Sequence, residues 1–223
     1  MQANPMFAAL LVVLTSIVLV PVVPALAADC NVSGNPNCSC GDTVKNGDLG
    51  AIKTLDISSD PVVDPSQAAC ATAVGLAIDP GVTLEMGSNT IRGVRAPGQV
   101  GLQLAAGVGT KVLGGGRIKN FDQAIAGSAV VSGEFIRLIL EDNRSDGIVL
   151  GTGSNLNLIA SSTIRRNGRD CVSVTGNENI VRLNKVQFCG RTAVLTDGCR
   201  AQGRRRNSSS FAASTTTTPE IRG

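Results

Sequence analysis

The chain has no histidine, so any acid, base or metal chemistry falls to Asp, Glu, Lys, Arg and Cys. The carboxylates that stand out are Asp146 and Asp170, each opening a similar triplet, Asp146-Gly147-Ile148 and Asp170-Cys171-Val172. With Asp142 they form a candidate oxygen-ligand set for Ca²⁺, a hard cation that favours carboxylates. Lys119, Arg165 and Arg166 are candidate bases for taking a proton beside a uronate carboxylate. Two carboxylates alone can also hydrolyse a glycosidic bond. Missing histidine excludes a Ser–His–Asp or Cys–His nucleophile pair and any His-ligated metal. The same residues also fit a solvated outer face. Two aspartates about 4.8 Å apart on neighbouring strands repel by only about 1 kcal/mol in water. Arg144, Arg169 and Arg191 lie in the same bend, so the Asp146/Asp170 pair needs no metal to exist.

Those residues are positioned by a repeat. Small-apolar pairs recur as Gly101-Leu102, Ala124-Ile125, Gly147-Ile148, Cys171-Val172 and Ala193-Val194, their second members 23, 23, 24 and 22 residues apart. A period of this length marks a stacked solenoid, in which each repeat buries its apolar face against the next. Short β-branched runs, Val82–Leu84, Lys111–Leu113, Leu156–Ile159 and Asn179–Val181, predict strands of three to five residues. Gly or Asn interrupts every window long enough for an amphipathic helix. Counting back from each pair's apolar residue, Leu140, Ile164 and Val186 share one place and Leu158 and Ile180 another, giving about three inward-facing strands per coil. Ile118 breaks the count, one residue short.

Asn120, Asn143 and Asn167 stand five places before three of these apolar residues, with Cys189 in the last repeat. In register, their amides can hydrogen-bond to neighbours above and below, which predicts a buried asparagine ladder. Lys119, Asp142, Arg166 and Phe188 fall one place earlier and form a mixed-charge column. Leu113-Gly114-Gly115-Gly116 suits a bend; no strand–loop–helix phosphate cradle surrounds it.

The pattern resembles the right-handed parallel β-helix, or pectate-lyase-like, superfamily. It is most similar to secreted bacterial and archaeal members, whose opening region runs Cys-Gly-Asp-Thr, then a Cys before a Gly-Leu-x-Ile strand, then Leu-Asp-Leu-x-Gly-His-Thr-Ile. Here stand Cys40-Gly41-Asp42-Thr43, Cys70, Gly75-Leu76-Ala77-Ile78 and Leu84-Glu85-Met86-Gly87-Ser88-Asn89-Thr90-Ile91. Glu85, Ser88 and Asn89 depart from the pattern, and the histidine is lost. The resemblance covers roughly residues 40–199 and implies an all-β, right-handed parallel β-helix of about five or six coils. Polygalacturonases also place carboxylates on successive coils, but their Gly-His-Gly element is Arg191-Thr192-Ala193 here.

The flanks differ in texture. Phe7–Val20 is apolar apart from Thr15 and Ser16, and Ala25-Leu26-Ala27 is a small-x-small cleavage site. Residues 1–28 therefore predict a secretory signal peptide, with an uncleaved anchor as the rival reading. Residues 29–80 form a cysteine-bearing N-terminal cap and entry strands, 81–199 the repeats, and 200–223 a low-complexity tail. Seven cysteines in an exported chain point to disulfides. The expected pairs are Cys40–Cys70 and Cys30–Cys38. Zinc is the competing use, though the Cys38-Ser39-Cys40 gap is too short. Cys171, Cys189 and Cys199 leave an odd thiol.

The formal charge is +3, but from Arg200 onward five arginines face one glutamate, so the rest of the chain is slightly acidic. No nucleic-acid partner is expected, and with five Phe and neither Trp nor Tyr there is little for base stacking. No membrane partner is expected once the leader is removed. The repeat stops without a recognisable cap, which leaves room for a capping partner or self-association at the C-terminal end. The leading functional reading is a secreted or cell-surface, non-catalytic β-helix protein that binds polysaccharide, with no required cofactor. The alternatives are a lyase or epimerase acting on uronate glycans, using Ca²⁺, and a structural or adhesive module or a fragment of a longer protein.

Overall fold

Strands of three to five residues cannot bury their apolar side chains alone, so they pair one repeat away. The computed structural model describes residues 40–45 and 70–197. Within them the chain is all-β, a parallel β-solenoid of about five turns without a helix. The first sheet stacks Asp42–Val44, Val74–Ile78, Val100–Leu104, Gln123–Gly127, Asp146–Leu150, Val172–Thr175 and Val194–Asp197. The second stacks Thr83–Glu85, Lys111–Leu113, Glu134–Ile136, Leu158–Ala160 and Ile180–Arg182. The third stacks Thr90–Arg92, Arg117–Lys119, Ile139–Glu141, Thr163–Arg165 and Lys185–Gln187. A short extra ladder pairs Gly107–Val108 with Val130–Val131.

The sequence repeat is the coil. Leu102, Ile125, Ile148, Val172 and Val194 are direct neighbours across the first sheet. Leu84, Val112, Phe135, Ile159 and Val181 line the interior from the second sheet. Ile91, Ile118, Leu140 and Ile164 line it from the third, with Val186 half-buried at the end of the column. Where the small residue beside the first-sheet apolar one is glycine, the cause is steric. A Cβ on Gly147 would lie 2.4 Å from the Cys171 carbonyl oxygen and 2.6 Å from the Ile164 side chain.

Two details of the sequence reading need correction. Leu158 and Ile180 were placed inward, but Ile159 and Val181 take the interior and Ile180 is 40% exposed. The count crossed a bend of odd length, and with a side-chain period of two a one-residue error exchanges the faces. Likewise Leu156 stands in a bend, at φ 60°, and not in a strand. Val74–Ile78 already pairs with Val100–Leu104, so the stack extends ahead of residue 81.

Cys40 is bonded to Cys70, and Cys171 to Cys189. Such bonds form and persist in an oxidising, extracellular-type environment. The proposed Cys30–Cys38 pair, the leader and the tail from residue 200 lie outside the described residues.

Candidate functional site

Each coil turns from the third sheet into the first through a bend, and that sheet and bend together carry most of the described charged residues. The outward column of the third sheet runs Arg92, Lys119, Glu141, Arg165 and Gln187. In every coil after that of Arg92, the next place has left-handed backbone: Asn120 (φ 58°), Asp142 (58°), Arg166 (53°) and Phe188 (54°). Lys119 was expected in the Asp142–Arg166 column. It stands instead beside Glu141, because the bend after Ile118 is one residue shorter than the next.

The same shortening moves the asparagine ladder. Asn143 Nδ2 donates to Asn167 Oδ1 at 2.9 Å, and the Asn143 amide donates to the same oxygen at 3.2 Å. The residue stacked before Asn143 is Phe121, whose amide donates to Asn143 Oδ1 at 3.0 Å. Asn120 lies in the neighbouring left-handed column and is not a rung. Other ladders escaped the sequence reading. Asn157 Nδ2 donates to Asn179 Oδ1 at 2.9 Å, and the Ser162 amide donates to Asn184 Oδ1 at 2.9 Å. Their 22-residue spacing was the available signal. Asn143 begins a glycosylation sequon but is fully buried, so the folded chain cannot present it.

The acidic residues sit beneath the basic ones. Asp146 Oδ1 accepts the Asp170 amide at 2.9 Å, and Asp170 Oδ1 accepts the Thr192 amide at 3.0 Å. Each carboxylate thus caps backbone of the following coil. Arginines from that coil reach back over them. Arg191 grips both oxygens of Asp170, Arg169 Nε lies 3.8 Å from Asp146, and Arg144 Nη1 lies 3.7 Å from Asp122. These arginine side chains are 52–57% exposed and their carboxylate partners 1–15%.

A second cluster surrounds Glu141, whose side chain is 3% exposed. Its oxygens lie 2.7 Å from Arg165, 2.9 Å from Arg166 and 3.2 Å from Arg117. Arg166 also clamps Asp142 in a two-point contact at 2.7 and 2.8 Å. A guanidinium presents its donors in a fixed fork, so such contacts are specific for planar anions.

These pairings set the proton affinities. The Arg166 hydrogen bond holds the Asp142 carboxyl below its ordinary value, and Asp142 in turn raises Arg166. Burial pushes the Asp170 carboxyl upward, but hydrogen bonds from Arg191 and Thr192 outweigh it and leave the group lowered. Arg191 is raised, chiefly by its hydrogen bond to Asp170.

The proposed calcium set is not assembled. Asp146 and Asp170 are neighbours in one column, whereas Asp142 is on the left-handed bend in the grip of Arg166. Among the described residues no three His, Cys, Asp or Glu side chains are placed to hold a metal ion.

The arrangement produces a charge asymmetry that linear counting hides. Ten of the fourteen described Lys and Arg lie on the third sheet or its bend into the first, against five of the eleven Asp and Glu. Because those five acids are largely covered, this corner of the solenoid presents cations to solvent. Compared with protein-family models, curated proteins and solved structures, the chain matches none.

Proposed function

We propose that the protein is an exported, non-catalytic β-solenoid that binds acidic polysaccharide along this basic corner. The observation that carries the reading is the layering of half-exposed arginines over buried carboxylates, repeated from coil to coil. Neighbouring coils lie about 4.8 Å apart, so the corner offers a row of cations to a polymer lying along the solenoid axis. The chain has no Trp or Tyr and so lacks the large aromatic planes on which uncharged sugar rings stack. Selection therefore favours carboxylate or sulfate groups. Proton affinities support binding over turnover. A working acid or base needs a pKa near the operating pH, whereas Asp142 and Asp170 are lowered and Arg166 and Arg191 are raised. The leader and the two disulfides support export.

Calorimetric titration with polygalacturonate and with dextran tests this. Saturable binding to the acidic polymer is expected, weakening steeply with salt because exposed charges are screened. The triple variant Lys119→Gln, Arg144→Gln, Arg169→Gln should bind on the order of tenfold more weakly or worse. Equal affinity for dextran, or no polygalacturonate binding at low salt, would sink the proposal. An unsaturated-uronate absorbance that disappears in Asp170→Ala would establish the lyase reading instead.

A further inference from the structure

The cations of the basic corner are of two kinds. Arg166 spends its donors on Asp142 and Glu141, Arg165 and Arg117 close on Glu141, and Arg191 grips both oxygens of Asp170. Arg144 and Arg169 differ. Their nearest carboxylate oxygens stand at 3.7 and 3.8 Å, beyond hydrogen-bond reach. Neither guanidinium has a hydrogen bond among the described residues. The acids beneath them are held by other donors. Asp146 takes the Asp170 amide on one oxygen and Gln123 on the other. Asp122 takes the Gly98 amide at 2.6 Å, while its second oxygen has no hydrogen bond.

These two arginines are also neighbours. Arg169 lies beside Ser145 of the preceding coil, its amide donating to the Ser145 carbonyl at 2.7 Å, and Ser145 follows Arg144 in the chain. The two side chains reach back over successive coils, so their heads are set about one coil rise, ~4.8 Å, apart. Gly168 takes the place of Arg144 in the next coil, where a Cβ would lie 2.1 Å from the Arg144 carbonyl oxygen. No side chain there presses on Arg144, whose guanidinium can turn toward that of Arg169. Ser145 is half-buried, and its hydroxyl has no hydrogen-bond partner among the described residues. Two guanidiniums and a hydroxyl with donors to spare thus share one patch of the corner.

We propose that Arg144, Ser145 and Arg169 form a subsite for a tetrahedral ester group, sulfate or phosphate, carried by a sugar of the bound glycan. This subsite rests on the polysaccharide reading above and narrows its ligand. A carboxylate has two oxygens in one plane and is fully met by a single guanidinium fork, as Asp142 and Asp170 are here. A sulfate or phosphate ester spreads three terminal oxygens around a tetrahedron. Two guanidiniums from different coils and the Ser145 hydroxyl can take one each. Because Asp122 and Asp146 hold these arginines without a hydrogen bond, both can turn to the ligand and break none.

Amide NMR titration of the full chain with glucose 6-sulfate, glucose 6-phosphate and glucuronate tests the subsite. The sulfate and glucuronate carry the same single charge at neutral pH and differ in the shape of the anion. Saturable shifts at Ser145, Gly168 and Arg169 are expected with one or both esters, at affinities on the order of tenfold above that for glucuronate. Which ester responds assigns sulfate or phosphate. Arg144→Gln and Arg169→Gln should each weaken ester binding on the order of tenfold. Both should keep the wild-type thermal midpoint, since neither side chain loses a hydrogen bond. Lys111→Gln removes the same charge from the second sheet and should bind like wild type. Equal affinity for glucuronate, unsaturable shifts spread over the whole corner, or arginine variants no weaker than Lys111→Gln would overturn the subsite. A chain that binds polygalacturonate yet gives no ester response refutes the subsite alone. Ester binding without polygalacturonate binding counts against the wider reading and leaves the subsite standing.

Discussion

Asp170 shows why residue type alone leaves two readings open. Two aspartates on successive coils fit a catalytic or metal pair and also a solvated face, and their spacing makes them neighbours. Their lone pairs are directed elsewhere. Asp146 accepts an amide from the coil that carries Asp170, and Asp170 accepts one from the coil that carries Thr192. A carboxylate tied to backbone and covered by arginine stabilises the stack only while ionised. Its folded pKa lies below the ordinary 3.8, so this stabilisation is fully present above 3.8 and is lost as the pH falls through the folded value. The thermal midpoint should hold down to that region and then drop. Asp170→Asn keeps an oxygen for the Thr192 amide but has no charge to lose, so its decline on acidification should be shallower. Parallel acid-stability curves for the two proteins would refute the assignment. Asp170→Ala, which removes the acceptor of the part-buried Thr192 amide and the partner of Arg191, should cost about 1–3 kcal/mol at neutral pH.

At the scale of the element, the asparagine columns separate two roles that the sequence merged. Asn143 is a buried rung accepting the Phe121 amide, whereas Asn120 is a half-buried residue in left-handed backbone. Asn143→Ala should therefore cost about 2–3 kcal/mol through unsatisfied buried groups. Asn120→Ala should cost about 1 kcal/mol, and Asn120→Gly close to nothing, because there only backbone preference is at stake. Chemical denaturation of the three variants checks the order, and equal losses for Asn143→Ala and Asn120→Ala would contradict it. The first-sheet column was legible because its apolar residues recur once per coil, 22 to 24 residues apart from Leu102 to Val194. The charge columns were offset because one bend, Phe121 to Gln123, is a residue shorter than Asn143 to Asp146. Bends conserve their hydrogen bonds and not their length, so counting through them loses parity. The basic corner was illegible for a related reason. Net charge averages over all sides of the coil, and only the register sorts cations onto one of them.

For the whole molecule, contacts join only successive coils, so stability should behave as a one-dimensional stack that opens from an unprotected end. The part-exposed last coil makes the C-terminal end the place to open. Cys171 and Cys189 span that region, and their position in the stack explains the use of a covalent link. Cys189 occupies the column of Asn143 and Asn167, and its bond to Cys171 holds the last described coil where the earlier coils use an asparagine rung. The disulfide ties the end to the coil beneath with a sequence separation of 18. Closing a loop of this size is worth about 3 kcal/mol in the chain-entropy account. In a one-dimensional stack that loss is local. Cys171→Ala with Cys189→Ala should raise hydrogen exchange across residues 172–197 and leave residues 100–140 near wild type. Uniform deprotection of every coil would show that the solenoid unfolds as one unit. Unchanged exchange in the last coil would show that packing and the Arg191–Asp170 pair hold that end without the bond.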